Sequence, residues 1–177
     1  VGGRLWDVFF FDWEYYHNHL LEIPYIWQGG MAIQGGIIFA CIAAYFYLKK
    51  HQIPVLPFAD TVTPGIILGQ AIGRIANFMN GDAFGHPTGQ DFGLLYPDTT
   101  LAYHTYGAQP LWPAEVWECQ GDLLIFVLLL WYGCKTRAEG TTFCLYIMFY
   151  SLLRFFLENY RGDYGTLALG LKSAQLT

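Results

Sequence analysis

The feature that most restricts this chain is residues 31–48, eighteen residues whose one strongly polar side chain is Gln34, closed by Lys49, Lys50 and His51. Crossing the hydrocarbon core of a bilayer takes about 20 helical residues, so a run of this length and composition reads as a transmembrane helix. Three further apolar stretches, 58–80, 114–134 and 141–160, repeat the pattern. The expected fold class is therefore all-α, a polytopic integral membrane helical bundle, with residues 1–177 forming a single transmembrane domain.

Composition agrees. The 177 residues are 54% hydrophobic, 19% aromatic and 13% charged, against roughly 25% charged in an ordinary soluble domain. No basic run or interleaved basic and aromatic patch points to nucleic acid. Cys41, Cys119, Cys134 and Cys144 show no CxxC spacing and lie in or beside apolar segments, as small core residues do. His17 and His19 lack the companions a metal site needs, and no metal is expected. Residues 1–11 are apolar apart from Arg4 and Asp7 and are too short to span, which suggests the tail of a truncated helix. Another apolar pattern is expected to begin near the end of the chain, which suggests an internal fragment of a longer protein.

Charge orients the spans. Lys49, Lys50, Lys135 and Arg137 fall in two short connections that share one side if four helices alternate, and the positive-inside rule makes that side cytoplasmic. The connections 12–28 and 81–113 carry no Lys or Arg and fall outside. The first is rich in Trp and Tyr, residue types that settle at the membrane interface. The second is long and aperiodic, the kind of connection that is functional or mobile. Pro54 and Pro57 mark a turn before the second span, in which Gly65, Gly69 and Gly73 form a ridge of small residues suited to close helix packing.

Arg74 stands within that second span, and an arginine at a helix centre costs about 2.5–3.5 kcal/mol on insertion scales, so it needs a partner or a task. Gln70, Arg74 and Asn77 share a helix face, and Tyr150, Arg154, Glu158 and Arg161, at i, i+4, i+8 and i+11, form a single stripe. With alternating spans, Asn77, Asn80, Asp82, Glu118, Arg154, Glu158 and Arg161 all gather at the outer leaflet. A structural reading has Arg154 and Glu158 neutralising each other while Arg161 snorkels to the interface. The functional reading is a cationic pocket for an anionic lipid headgroup, with Arg74 and Arg154 gripping the phosphate through planar guanidinium forks.

Four segments resemble one family. GRIANFMNGDAFGHPT, residues 73–88, is similar to the G-R-x-G-N-F-x-N-x-E signature of the prolipoprotein diacylglyceryl transferases. WQGGMAIQGG (27–36), WPAEVWE (112–118) and YSLLRFFLENYRGD (150–163) resemble that family's W-x-G-G-(M/L/I)-x-x-H-G-G, H-P-x-x-L-Y-E and Y-x-x-x-R-F-x-x-E-x-x-R segments, in family order. The resemblance implies transfer of a diacylglyceryl group from phosphatidylglycerol to the lipobox cysteine thiol in the signal peptide of a prolipoprotein. That reaction takes place at the outer leaflet of the bacterial cytoplasmic (inner) membrane, in a multi-pass protein among membrane lipid and without metal or organic cofactor. It implies Arg74, Arg154 and Glu158 as catalytic residues. Gln34, Asn77, Asn80, Asp82, Gly85, Tyr150, Arg161 and Glu118 would bind or support substrate, with Gly85 permitting close approach of the lipid.

Some positions depart from the pattern. The family's histidine before Gly-Gly is Gln34, whose amide cannot take up a proton near neutral pH. The second glycine of the signature is Ala76, its glutamate is Asp82, and Trp112 and Trp117 replace a His and a Tyr. His86 and His104 are candidate substitute bases. The missing histidine equally suits a non-catalytic relative that binds lipid or lipoprotein. A small-solute transporter, which would show two related halves, is a third alternative that the segment pattern does not support.

Overall fold

The computed structural model describes residues 1–30, 32–134, 138–162, 166–168 and 171–172. Lys135 and Arg137, which help to orient the spans, lie outside the described residues, as do Met31 and residues 173–177. The chain divides into two compact units, Val1–Val55 and Leu56–Thr177.

In the first unit, helix α1 (Gly2–Phe10) is followed by the single turn α2 (Trp13–Tyr16), 3-10 turns at Leu20–Glu22 and Ile26–Gln28, and the long helix α3 (Ile33–Lys50). Helices α1 and α3 meet through glycines. A Cβ on Gly2 would lie 2.5 Å from the Phe39 Cβ and 2.7 Å from the Gly35 carbonyl, and one on Gly35 would run into Trp6 and the Gly2 backbone. The loop between the helices is organised on Arg4, which is buried. Its guanidinium donates to the carbonyls of Glu22, Ile23, Tyr25, Gly29 and Gly30 at 2.6–3.4 Å and stacks 4.8 Å from the Tyr16 ring centroid. A long cationic side chain thus satisfies main-chain acceptors that no helix or sheet serves. Trp13, Tyr25 and Trp27 remain exposed, as expected of interfacial aromatics.

The second unit contains α4 (Val55–Asn80), α5 (Leu101–Tyr106), α6 (Ala114–Gly133) and α7 (Thr141–Leu157). A 3-10 turn at Glu158–Tyr160 and a short antiparallel pair, β1 (Thr166–Ala168) with β2 (Leu171–Lys172), follow. Ile67, Ile125 and Leu129 form the core, flanked by Phe126, Leu145, Tyr146, Phe149, Tyr150 and Leu153. Helices α6 and α7 close on each other at Gly121, where an added Cβ would lie 2.5 Å from both Leu153 methyl carbons. At the opposite end of the bundle from the arginines, Asp60 reaches from α4 to the start of α7. Its Oδ2 accepts from the Gly140 N–H at 2.8 Å and its Oδ1 from the Phe143 N–H at 2.9 Å. A carboxylate is well suited there, since the first N–H groups of a helix lack intrahelical partners.

Three expectations are corrected. The turn assigned to Pro54 and Pro57 ends sooner, because α4 begins at Val55 and takes Pro57 into its first turn, where a missing N–H costs no intrahelical bond. Among the described residues, the ridge of Gly65, Gly69 and Gly73 does not pack a neighbouring helix: nothing beyond the helix's own backbone lies within 4 Å of where a Cβ would sit on any of them. The packed face of α4 instead carries Asp60, Thr63, Ile67 and Ala71. The third concerns the stripe from Tyr150 to Arg161. Helix α7 ends at Leu157, and Arg161 is extended, with φ −76° and ψ 137°, so helical spacing does not place it.

The outer surface of the helices is apolar. Ile72, Met79, Leu124, Trp131 and Phe156 are more than half exposed, an arrangement that water penalises and lipid does not. Helix α4 and the segment Thr141–Tyr160 are long and apolar enough to cross a membrane, with mean hydropathies of 1.3 and 1.2.

Candidate functional site

The site forms where the C-terminal end of α4, the N-terminal end of α6 and the C-terminal end of α7 meet. At its centre is the carboxylate of Glu118, one turn into α6 and 1% exposed. Three guanidinium groups converge on it. Arg74 Nη2 lies 2.7 Å from Oε1, Arg154 Nη1 lies 3.1 and 3.2 Å from Oε1 and Oε2, and Arg161 Nη1 lies 3.3 Å from Oε2. Arg154 also donates through Nη2 to Glu158 Oε2 at 2.8 Å, the i,i+4 pair expected on α7.

Arg74 is extended into a second chain of contacts. Its Nη1 donates to Asn77 Oδ1 at 3.3 Å, and Asn77 Nδ2 donates to Asp82 Oδ1 at 2.6 Å. Of the face that carries Gln70, Arg74 and Asn77, only the last two join the cluster, since Gln70 Oε1 accepts from the Tyr146 hydroxyl at 3.0 Å. Exposure grades the arginines: Arg161 is 4% exposed, Arg154 15% and Arg74 20%. Arg161 is thus buried against Glu118 instead of snorkelling to the interface.

The connection 81–113 holds this end together. It has its own small core of Phe84, Ala102 and Leu111, with Tyr96 and Tyr106 against it, and the Thr100 hydroxyl caps α5. It is stitched to the end of α7: the His86 N–H donates to the Tyr160 carbonyl, the Gly162 N–H to the Phe84 carbonyl and the Tyr106 hydroxyl to the Gly162 carbonyl, each at 3.0 Å. Gly85 and Arg161 form an antiparallel bridge. Arg161 is therefore delivered to Glu118 by strand-like pairing with the loop. The close approach that Gly85 permits in this structure is that of the Trp112 backbone, into which an added Cβ would run.

The structure brings Arg74, Asn77, Asp82, Glu118, Arg154, Glu158 and Arg161 into one network. Tyr150, one turn before Arg154, stacks on Tyr146 with ring centroids 5.8 Å apart. Asn80 is exposed beyond the network. Gln34 belongs to the first unit, in the first turn of α3. His86 is half-buried and its Nδ1 lies 2.9 Å from the Pro87 carbonyl; a carbonyl only accepts, so Nδ1 carries the proton and Nε2 is left as a proton acceptor. His104 is exposed on α5.

Two acidic residues in the first turns of the third span were given no part in the site by the sequence. Glu115 and Asp122 are fully buried on α6, and neither Asp122 carboxylate oxygen has a hydrogen-bond partner among the described residues. The spacing Glu115, Glu118, Asp122 at i, i+3 and i+7 places all three on one face, which was the available signal. Guanidinium groups held by buried carboxylates at the end of an apolar bundle suit an anion that arrives from a membrane. Arginine stays charged there and can present two parallel N–H donors to phosphate oxygens.

Fold and site together define an all-α membrane protein with a buried arginine cluster at one end of its helices. The sequence comparisons specify it further. The family model described as prolipoprotein diacylglyceryl transferase matches residues 1–177, and the chain belongs to that family. It is 39% identical over 168 residues to the phosphatidylglycerol–prolipoprotein diacylglyceryl transferase of Geobacillus kaustophilus, covering 94% of this chain and 62% of that one. The enzyme of the same name from Staphylococcus saprophyticus is 39% identical over 178 residues, covering 99% of this chain and 63% of that one. That from Clostridium botulinum strain Langeland is 38% identical over 177 residues, 99% of this chain and 68% of that one. The chain thus spans a little under two thirds of the first two relatives, at 62% and 63% of their lengths.

Proposed function

We propose that this protein transfers the diacylglyceryl group of phosphatidylglycerol to the lipobox cysteine of a prolipoprotein. The reaction would run at the outer leaflet of a bacterial cytoplasmic membrane, in one transmembrane domain crossed by α3, α4, α6 and α7. The observation that carries the reading is the convergence of Arg74, Arg154 and Arg161 on the single buried carboxylate of Glu118. The relatives' names supply the two substrates.

In this reaction the cysteine sulfur attacks the glyceryl carbon that carries the phosphate. The sulfur–carbon bond forms, the carbon–oxygen bond breaks, and glycerol phosphate leaves with the bonding electrons. The thiol must give up its proton to become nucleophilic. Gln34 cannot accept it, and His86 Nε2, with Nδ1 engaged by Pro87, is our candidate acceptor. Arg74 and Arg154 would hold the phosphate as charge builds on the departing oxygen. Glu158 orients Arg154, and the Asn77–Asp82 pair orients Arg74.

The test is purified protein in liposomes with labelled phosphatidylglycerol and a lipobox peptide. A thioether-linked diacylglyceryl peptide, detected by mass, is the expected product. Its absence, with a family enzyme active in parallel, would overturn the proposal.

A further inference from the structure

Glu118 is an unusual neighbour for a bound phosphate, because it already occupies the guanidinium groups that would bind one. We propose that Glu118 is a specificity-determining residue that sets the charge of the phosphate the site retains, holding a singly charged diester while weakening the grip on a doubly charged monoester. This rests on the reaction proposed above, whose lipid substrate is a diester and whose leaving product is a monoester.

The carboxylate is fixed in place. It is 1% exposed and touched by three arginines, Arg74 from α4, Arg154 from α7 and Arg161 from the extended residue after the 3-10 turn. Arg74 Nη2 and Arg154 Nη1 contact the same Oε1 atom, at 2.7 and 3.1 Å, so an anion bridging these nitrogens is also close to Glu118. A phosphodiester carries one negative charge. A phosphate monoester loses its second proton near pH 6 and is mostly doubly charged at neutral pH. At about 6 Å and an effective dielectric of about 20, one added negative charge beside a carboxylate loses roughly a hundredfold in affinity. Three guanidinium groups alone would favour the dianion and trap the product. Glu118 removes about that much of the advantage, so the leaving group, once its second proton is lost, is held less tightly than the arginines alone would hold it.

The groups facing Glu118 are Arg74 from α4 and Tyr150, Arg154, Glu158 and Arg161 from α7 and the turn after it. Glu115 and Asp122 lie on its own helix. All of these side chains are present in every variant; because Glu118 is also the arginines' counterion, the readout is the inhibition constant and its pH dependence and not turnover.

The experiment measures inhibition of transfer by added glycerol phosphate, at pH 5 and pH 7.5, for the full chain in liposomes and for Glu118→Gln and Glu118→Asp. In Glu118→Gln the inhibition constant should fall at least tenfold at pH 7.5, with the gap closing at pH 5, where the inhibitor is singly charged. Glu118→Asp keeps the charge and should keep the wild-type pH dependence of inhibition, whatever its turnover. A purely supporting role would lower turnover and leave the inhibition constants and their pH dependence alone, and that result would overturn the inference. If Glu118→Gln does not fold, wild type decides alone: glycerol phosphate should inhibit no more strongly at pH 7.5 than at pH 5, and stronger inhibition by the doubly charged form would overturn the inference. Absence of transfer in wild type refutes the parent reaction, whereas transfer with an unchanged inhibition pattern refutes charge selection alone.

Discussion

Replacing Arg74 by lysine keeps the charge and removes the fork. The arginine makes two contacts in different directions, Nη2 to Glu118 at 2.7 Å and Nη1 to Asn77 at 3.3 Å. A lysine ammonium is a single point and cannot reproduce both, nor offer paired donors to a phosphate. Losing one hydrogen bond to a charged group costs about 1.5–3 kcal/mol, so Arg74→Lys should lower kcat/KM by roughly 10- to 150-fold if the bond matters in the transition state. Initial rates of peptide lipidation in phosphatidylglycerol liposomes measure it. Asn77→Ala provides the second corner of a cycle. If Arg74 is held through Asn77, the double variant should be little worse than Arg74→Lys, with a coupling of about 1 kcal/mol or more. Arg74→Lys activity within threefold of wild type, or losses that simply add, would refute the network from Arg74 through Asn77 to Asp82.

Three further variants have defined outcomes. Asp60→Ala removes the acceptor for the Gly140 and Phe143 N–H groups; at about 3 kcal/mol for two charge-assisted bonds the melting temperature in detergent should fall by roughly 6–12 °C, and a fall under 2 °C would count against the role. His86→Asn should lower transfer by about 10²-fold or more, as loss of a general base does. His104→Asn should stay within threefold of wild type, and full activity in His86→Asn would rule out His86 as the proton acceptor.

Much of this molecule was legible from local chemistry. Long apolar runs are costly in water and so mark helices in lipid, whereas an arginine within one is costly in lipid and so marks a partner or a task. The spacing of Arg154 and Glu158 produced the ion pair it implied. What escaped depended on tertiary direction. Gly65, Gly69 and Gly73 look like a packing ridge in sequence, yet Ile67 and Ala71 face the neighbouring helices instead. Helical periodicity cannot say which of two adjacent faces finds a partner. The placement of Arg161 was equally hidden, since it follows from the bridge to Gly85, a residue far away in sequence.

Glu118 was read as a supporting residue because its own segment shows only a carboxylate opening a helix. Its importance arises from three arginines that reach it from two other parts of the chain. Three like charges cannot share a buried space without a counterion, and removing one member of a buried ionic group costs about 3–5 kcal/mol. The carboxylate is therefore what permits the guanidinium groups to stand together before any substrate arrives. An anion that enters must bind beside that counterion, which means that the element holding the arginines together also weakens their hold on a second negative charge. Strong assembly and ready release then follow from a single side chain.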